Sequence, residues 1–206
     1  MILHNVLQGS PEWKACRVGI PTASEFKRLV TSTGKPSESL ALYAGELAAE
    51  LFAGKSLDQF DGNTWMDRGK EMEAEAVRLY EFTNDVEAQR VGFITNDAGT
   101  AGCSPDALIG DDGGLEIKCL KSERHVEAVH YYKKHAKTPS AYVLQVQGSL
   151  MITGRAFWDL MFHHPDMPPL VIRNTPDPAI HAALAQGIAA VIAARDEQLR
   201  SLRGEA

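Results

Sequence analysis

Only three cysteines, Cys16, Cys103 and Cys119, occur in 206 residues. That is too few for a disulfide framework, and no Cys-x-x-Cys pair offers a zinc or iron–sulfur site. A cytoplasmic protein is expected. No apolar run reaches roughly 18 residues, so no membrane-spanning helix is expected. The start, Met1-Ile-Leu-His-Asn5, has no basic region ahead of an apolar stretch, so no secretory signal is expected either. Neither a repeat of fixed period nor a low-complexity tract is present. Basic charge is also short: 21 Lys and Arg stand against 27 Asp and Glu, a net charge of −6. Such a chain does not coat nucleic acid through bulk charge. It remains open to an enzyme whose clustered carboxylates hold metal. What is present is ordinary globular material, 44% apolar and 23% charged. At about 150 residues per domain, a single domain over residues 1–206 is expected.

Periodicity places the elements. Pro11 opens a helical turn over 11–17. Thr22-Ala-Ser-Glu25 reads as a capping box, predicting a helix from Ala23 to Val30. Helical spacing of Leu40, Tyr43, Leu47 and Leu51 predicts a helix over 38–53, and a polar loop follows over 54–63. A long helix is predicted from Thr64 to Phe82. The period then changes to short apolar or alternating segments at 86–95, 100–104, 106–110 and 114–120. Asp111-Asp-Gly-Gly114 reads as a hairpin turn. A helix that Ser122 can cap, running to Ala136, a helix at 140–152, strands at 157–163 and 170–174, and a last helix from Pro176 or Pro178 to Arg203 complete the chain. This order predicts an α/β (α+β) fold, a mixed central sheet flanked by helices.

Chemistry concentrates between Cys103 and Lys118. Asp106 begins one apolar strand. Glu116 and Lys118, two residues apart on the next, share a face. Charge beside a buried sheet is costly unless it is paired or bound to metal. Two carboxylates and the Ile117 carbonyl could hold Mg²⁺. A lysine there could orient a water and neutralise phosphate charge. If residues 111–114 form the turn, Asp106 falls opposite Cys119 and points away from Glu116, so a bulge or bend near Asp106 is required. Taken alone, this string reads more readily as a surface hairpin with a Glu116–Lys118 ion pair. Glu73, between Glu71 and Glu75 on the long helix, reads by itself as part of a solvated acidic face. Gln145 and Gln147, among apolar neighbours, read by themselves as structural hydrogen bonders.

Five motifs in order change the weighting. Trp13-(x)3-Arg17-Val-Gly-Ile-Pro-Thr-Ala-Ser24-Glu25 is followed by Gly69-Lys-(x)2-Glu73. Then come Cys103-Ser-Pro-Asp106, Leu115-Glu-Ile-Lys118 and Tyr142-(x)2-Gln-Val-Gln147. Together they resemble the lambda exonuclease family, grouped with YqaJ-type phage recombination nucleases. The resemblance implies the PD-(D/E)xK restriction-endonuclease-like fold. It also implies a toroidal homotrimer that uses Mg²⁺, with Mn²⁺ an alternative, to digest one strand of linear double-stranded DNA from its 5′ end. A single-strand annealing protein is the implied partner, and no membrane is involved. By resemblance, Asp106, Glu116 and the Ile117 carbonyl are metal ligands and Lys118 stands at the attacking water. Glu73 supports metal and water, and Gln145 lies beside that water. Arg17, Ser24, Ser104 and Arg124 resemble a pocket for the 5′-phosphate. Met66 falls where the family has an end-splitting wedge. Asp97 stands near a further family aspartate, in a loop one residue shorter.

Charge distribution agrees independently. Lys118, Lys121, Arg124, Lys133, Lys134 and Lys137 face only Glu123 and Glu127 within 118–137, with His125, His130 and His135 as further donors. A solvated basic helix face accounts for this equally well without the motifs; with them, a DNA-facing surface is expected. Rival readings are an endonuclease of the same fold, a noncatalytic DNA-end binding protein, and a plain globular protein with a structural ion pair.

Overall fold

The computed structural model describes residues 1–31, 33–57 and 64–205, and of residues 64–71 the backbone alone. The loop expected over 54–63 therefore lies outside the described residues from position 58 on. In chain order the first elements are β1 (Ile2–His4), α1 (Pro11–Arg17), a 3-10 helix (Ala23–Arg28), α2 (Leu40–Ala53) and α3 (Thr64–Asn84). Next come the short strands β2 (Ala88–Gln89), β3 (Phe93–Thr95), β4 (Gly102–Cys103) and β5 (Ala107–Ile109), then β6 (Gly113–Cys119). The rest is α4 (Ser122–His135), α5 (Ser140–Thr153), β7 (Phe157–His164), β8 (Met167–Asn174) and α6 (Pro178–Arg203).

Five strands form a mixed sheet in the order β2-β5-β6-β7-β8. Only β6 and β7 run parallel, joined by the α4–α5 crossover that a parallel pair requires. A second, antiparallel sheet has the order β1-β3-β4. Helices cover both faces of the larger sheet. Ala76, Val77 and Tyr80 of α3 pack on Ala107, Ile109, Leu115, Ile117 and Met161. On the opposite face, Leu144 and Leu150 of α5 and Leu184 and Val191 of α6 meet Trp158, Leu160 and Phe162. Alternation along β6 thus sends Leu115 and Ile117 toward α3, and Glu116 and Lys118 toward α5.

Two local expectations are corrected. The capping box does not form: Thr22 Oγ1 pairs with Ser24 Oγ at 3.3 Å, and the element is a 3-10 helix ending at Arg28. Thr22 is held extended by a bridge to Gly102, and its N–H donates to the Tyr43 hydroxyl, which fixes the entry angle. Ser122 does not cap α4 but begins it, its hydroxyl pairing with His164 Nε2. The last helix does start as its sequence suggests. Asp177 accepts from the N–H groups of Ala179 and Ile180, and Pro178 occupies the first turn. Among the described residues, α6 alone is long and apolar enough by composition to cross a membrane. Its Leu184 and Val191 are fully buried in the core.

Candidate functional site

The β5–β6 hairpin determines whether the two acids meet. Its register pairs Ile109 with Gly113 and Ala107 with Leu115, so the loop is Gly110–Asp112 rather than 111–114. Gly110, at φ +51°, supplies the left-handed residue that this three-residue loop needs. Gly113 and Gly114 belong to the strand. A Cβ on Gly113 would lie 2.2 Å from the Phe157 ring, and one on Gly114 2.3 Å from Trp158. These glycines admit aromatic rings from β7 and are not free to turn. The pairing slips accordingly and brings Asp106 level with Glu116. Of the bulge or bend expected near Asp106, a bend is present, but it is the turn register that brings the two acids level.

Glu116 is the centre of the arrangement. It is 5% exposed, and its Oε1 accepts from Lys118 Nζ at 2.8 Å and from Gln145 Nε2 at 2.6 Å. Burial works against the Lys118 charge, but the adjacent Glu116 outweighs it and raises the lysine's pKa above its ordinary value. Asp106 Oδ2 accepts from the Ile117 N–H. In an extended strand the N–H and C=O of one residue leave on the same edge, so the Ile117 carbonyl faces the Asp106 side, beyond the last β5 pair. Burial, then Glu116, then Glu73 push the Asp106 carboxyl well above the usual carboxylate range. Glu73 thus approaches the pair from α3, although it lies on a different element.

Acids that repel one another at the end of a buried sheet suit a hard divalent cation. Among the described residues, no group of three His, Cys, Asp or Glu gathers as a complete metal cage. Two carboxylates and a carbonyl instead fit an ion that keeps waters and phosphate oxygens as its remaining ligands, the habit of Mg²⁺. The neighbouring thiols are poor nucleophiles. Burial and then Glu116 push Cys103 up to about 12, and burial and then Glu73 push Cys119 up to about 11.

Of the four residues expected to hold a phosphate, Arg17 and Ser104 come together, with Nη1 3.3 Å from Oγ. Ser24 is exposed on the 3-10 helix, tied to Thr22 and so to the β4 end that leads to Ser104. Arg124 stands apart: it is exposed on the first turn of α4 and paired with Glu127 at 2.7 Å. Lys121, Lys133, Lys134 and Lys137 are exposed, as are His130 and His135. His125 is not a surface donor; it is 2% exposed, with Nε2 3.0 Å from the Pro168 carbonyl. Gln147, unlike Gln145, is structural, bridging the Thr175 carbonyl and the Asp177 N–H. Asp97 pairs with the N-terminal ammonium of Met1. Met66 lies on α3, where its side chain is outside the described residues.

Two side chains to which sequence reasoning gave no role belong to this region. The Trp13 indole donates to Ser104 Oγ at 2.9 Å, and Arg17 stacks 4.1 Å from its ring. Their spacing of four on a helix is a readable signal. Tyr142, one turn before Gln145, lies beneath Lys118, with Nζ 5.9 Å from its ring centroid.

A mixed sheet that carries Asp and Glu-x-Lys on adjacent strands, flanked by helices, has the restriction-endonuclease-like nuclease fold. Within that class, the chain belongs to the family of YqaJ-like viral recombinase domains, whose model matches residues 12–156. Among solved structures, the alkaline exonuclease LHK-Exo from Laribacter hongkongensis is similar over 94% of this chain and 96% of its own, at 28% identity and TM-score 0.81. The same enzyme in complex with dAMP matches at TM-score 0.80, with 28% identity and the same 94% and 96% coverage. A phage-related exonuclease from Haemophilus somnus 129PT, 16% identical over 89% of this chain and 96% of its own, shares the fold at TM-score 0.69. The curated proteins include no match. Family membership and the likeness to LHK-Exo support a nuclease role on DNA.

Proposed function

We propose that this protein is an Mg²⁺-dependent exonuclease, with Mn²⁺ able to substitute. It digests one strand of linear double-stranded DNA from a 5′-phosphorylated end, in the 5′-to-3′ direction. The 3′ single-stranded overhang it leaves is the substrate of a single-strand annealing protein. One observation carries this reading: Glu116 Oε1 is shared by Lys118 Nζ and Gln145 Nε2 at the level of Asp106.

Asp106, Glu116 and the Ile117 carbonyl are the ligands, with Glu73 supporting them from α3. A bound divalent cation neutralises phosphate charge and makes a water more acidic. Lys118 keeps its proton beside Glu116, so it donates hydrogen bonds to the water and offsets charge on the phosphodiester. Gln145, held by the same carboxylate oxygen, fixes the water's second side. Water is the nucleophile, because both nearby thiols stay protonated.

Arg17, Ser24 and Ser104 grip the terminal phosphate, with Trp13 fixing both Arg17 and Ser104. Arg124 joins them by exchanging Glu127 for phosphate, a stronger charge-assisted partner. Met66 serves as the wedge at the end base pair. The compartment is the cytoplasm, where Cys16, Cys103 and Cys119 remain free thiols. A homotrimeric ring around the duplex keeps the enzyme on its strand; sedimentation at working concentration then reads three protomers, and a monomer rejects the ring. Lys118→Ala tests the chemistry. Hydrolysis should fall by about 10²–10³-fold, with duplex binding retained and the melting temperature lowered by the loss of Glu116's ion-pair partner. Undiminished hydrolysis would remove Lys118 from the site.

A further inference from the structure

Tyr142 has a place in the site that the proposed chemistry does not use. It lies on the first turn of α5, three residues before Gln145, so both side chains leave the helix on one side. Its ring stands edge-on to Phe162 of β7, with centroids 5.2 Å apart and planes at 69°. That contact fixes the plane of the phenol. Lys118 Nζ from β6 lies 5.9 Å from the ring centroid. Among the described residues, no hydrogen bond holds its hydroxyl. A ring fixed on one side, with an unengaged donor on the residue that packs against Lys118, is suited to an anionic oxygen.

We infer that Tyr142 is a catalytic residue whose hydroxyl donates to a nonbridging oxygen of the phosphodiester that is cut. This rests on the hydrolytic reading above. It adds a second donor, from α5, to the charge stabilisation supplied by Lys118. Because none of the described residues holds the hydroxyl, its removal should be felt when substrate is bound.

The test is Tyr142→Phe, which keeps the ring and its packing on Phe162, with Tyr142→Leu to remove both. Linear duplexes with 5′-phosphoryl or 5′-hydroxyl ends are digested in Mg²⁺, and melting is followed alongside. For Tyr142→Phe, kcat should fall roughly tenfold on 5′-phosphoryl ends and by the same factor on the much slower digestion of 5′-hydroxyl ends at long times, the scale of one hydrogen bond to a charged acceptor. KM, the preference between ends and the melting temperature should not change. Tyr142→Leu should lose stability as well as rate. Wild-type kinetics in Tyr142→Phe would overturn the inference and leave the hydrolytic reading standing. A loss confined to 5′-phosphoryl ends would put the hydroxyl on the terminal phosphate and overturn it too. Wild-type protein that binds duplex ends without cutting them would overturn both.

Discussion

Asp106 is where folding and chemistry oppose each other. Its folded pKa is raised above the unfolded value by burial and by Glu116 and Glu73. The ionised form therefore costs stability at neutral pH. That cost disappears as pH falls through the folded pKa, where the folded state takes up the proton first. A bound divalent cation would relieve the same repulsion without a proton. Asp106→Asn should therefore melt a few degrees higher than wild type at neutral pH in EDTA, since an amide oxygen can still accept from the Ile117 N–H. Mg²⁺ should raise the melting temperature of wild type and leave the variant nearly unchanged. A variant that melts lower than wild type in EDTA would show that the Asp106 charge stabilises the fold.

At the scale of elements, β7 supports the site from beneath. Asp159, 1% exposed, accepts from Tyr80 of α3 and, through both oxygens, from Arg173 of β8 at 2.9 and 2.8 Å. This network ties α3, β7 and β8 together behind Leu115. Removing Arg173 leaves a buried carboxylate with one donor. Breaking a fully buried pair costs roughly 3–5 kcal/mol. Arg173 is 57% exposed, so Arg173→Ala should cost about 2 kcal/mol, read as a lower urea midpoint. Tyr80→Phe should cost about 1 kcal/mol. An unchanged midpoint for Arg173→Ala would mean that solvent satisfies Asp159.

The same element explains what the sequence could and could not disclose. Glu116 and Lys118 on one face were legible, because the strand period of two is local. The helix that carries Gln145 was legible for the same reason, and the last helix was legible with its start open between Pro176 and Pro178, which the Asp177 cap settles at Pro178. The hairpin register was not: Asp-Asp-Gly-Gly has the composition of a turn, whereas its glycines are required by Phe157 and Trp158 more than forty residues away. Which glutamine reached the site was not legible from periodicity; the family resemblance alone pointed to Gln145. Gln145 faces Glu116 and Gln147 faces the chain entering α6, and an apolar helix with polar interruptions does not distinguish them. His125 looked like part of a basic surface because its burial comes from β8.

At the scale of the molecule, the net charge of −6 and the basic face are compatible because the charges are sorted. Asp106 and Glu116 lie at the end of the sheet with Glu73 facing them from α3, while Lys121, Arg124, Lys133, Lys134 and Lys137 are exposed on and at either end of α4, the helix that leads away from Lys118. Duplex held by that face would be led to Glu116. The most direct measurement is digestion of a linear duplex carrying 5′-phosphate on one strand only, with a covalently closed circle beside it, in Mg²⁺ and in EDTA. Loss of the phosphorylated strand alone, in Mg²⁺ alone, with the circle intact, is the predicted result; cutting of the circle, or digestion undiminished in EDTA, would contradict it.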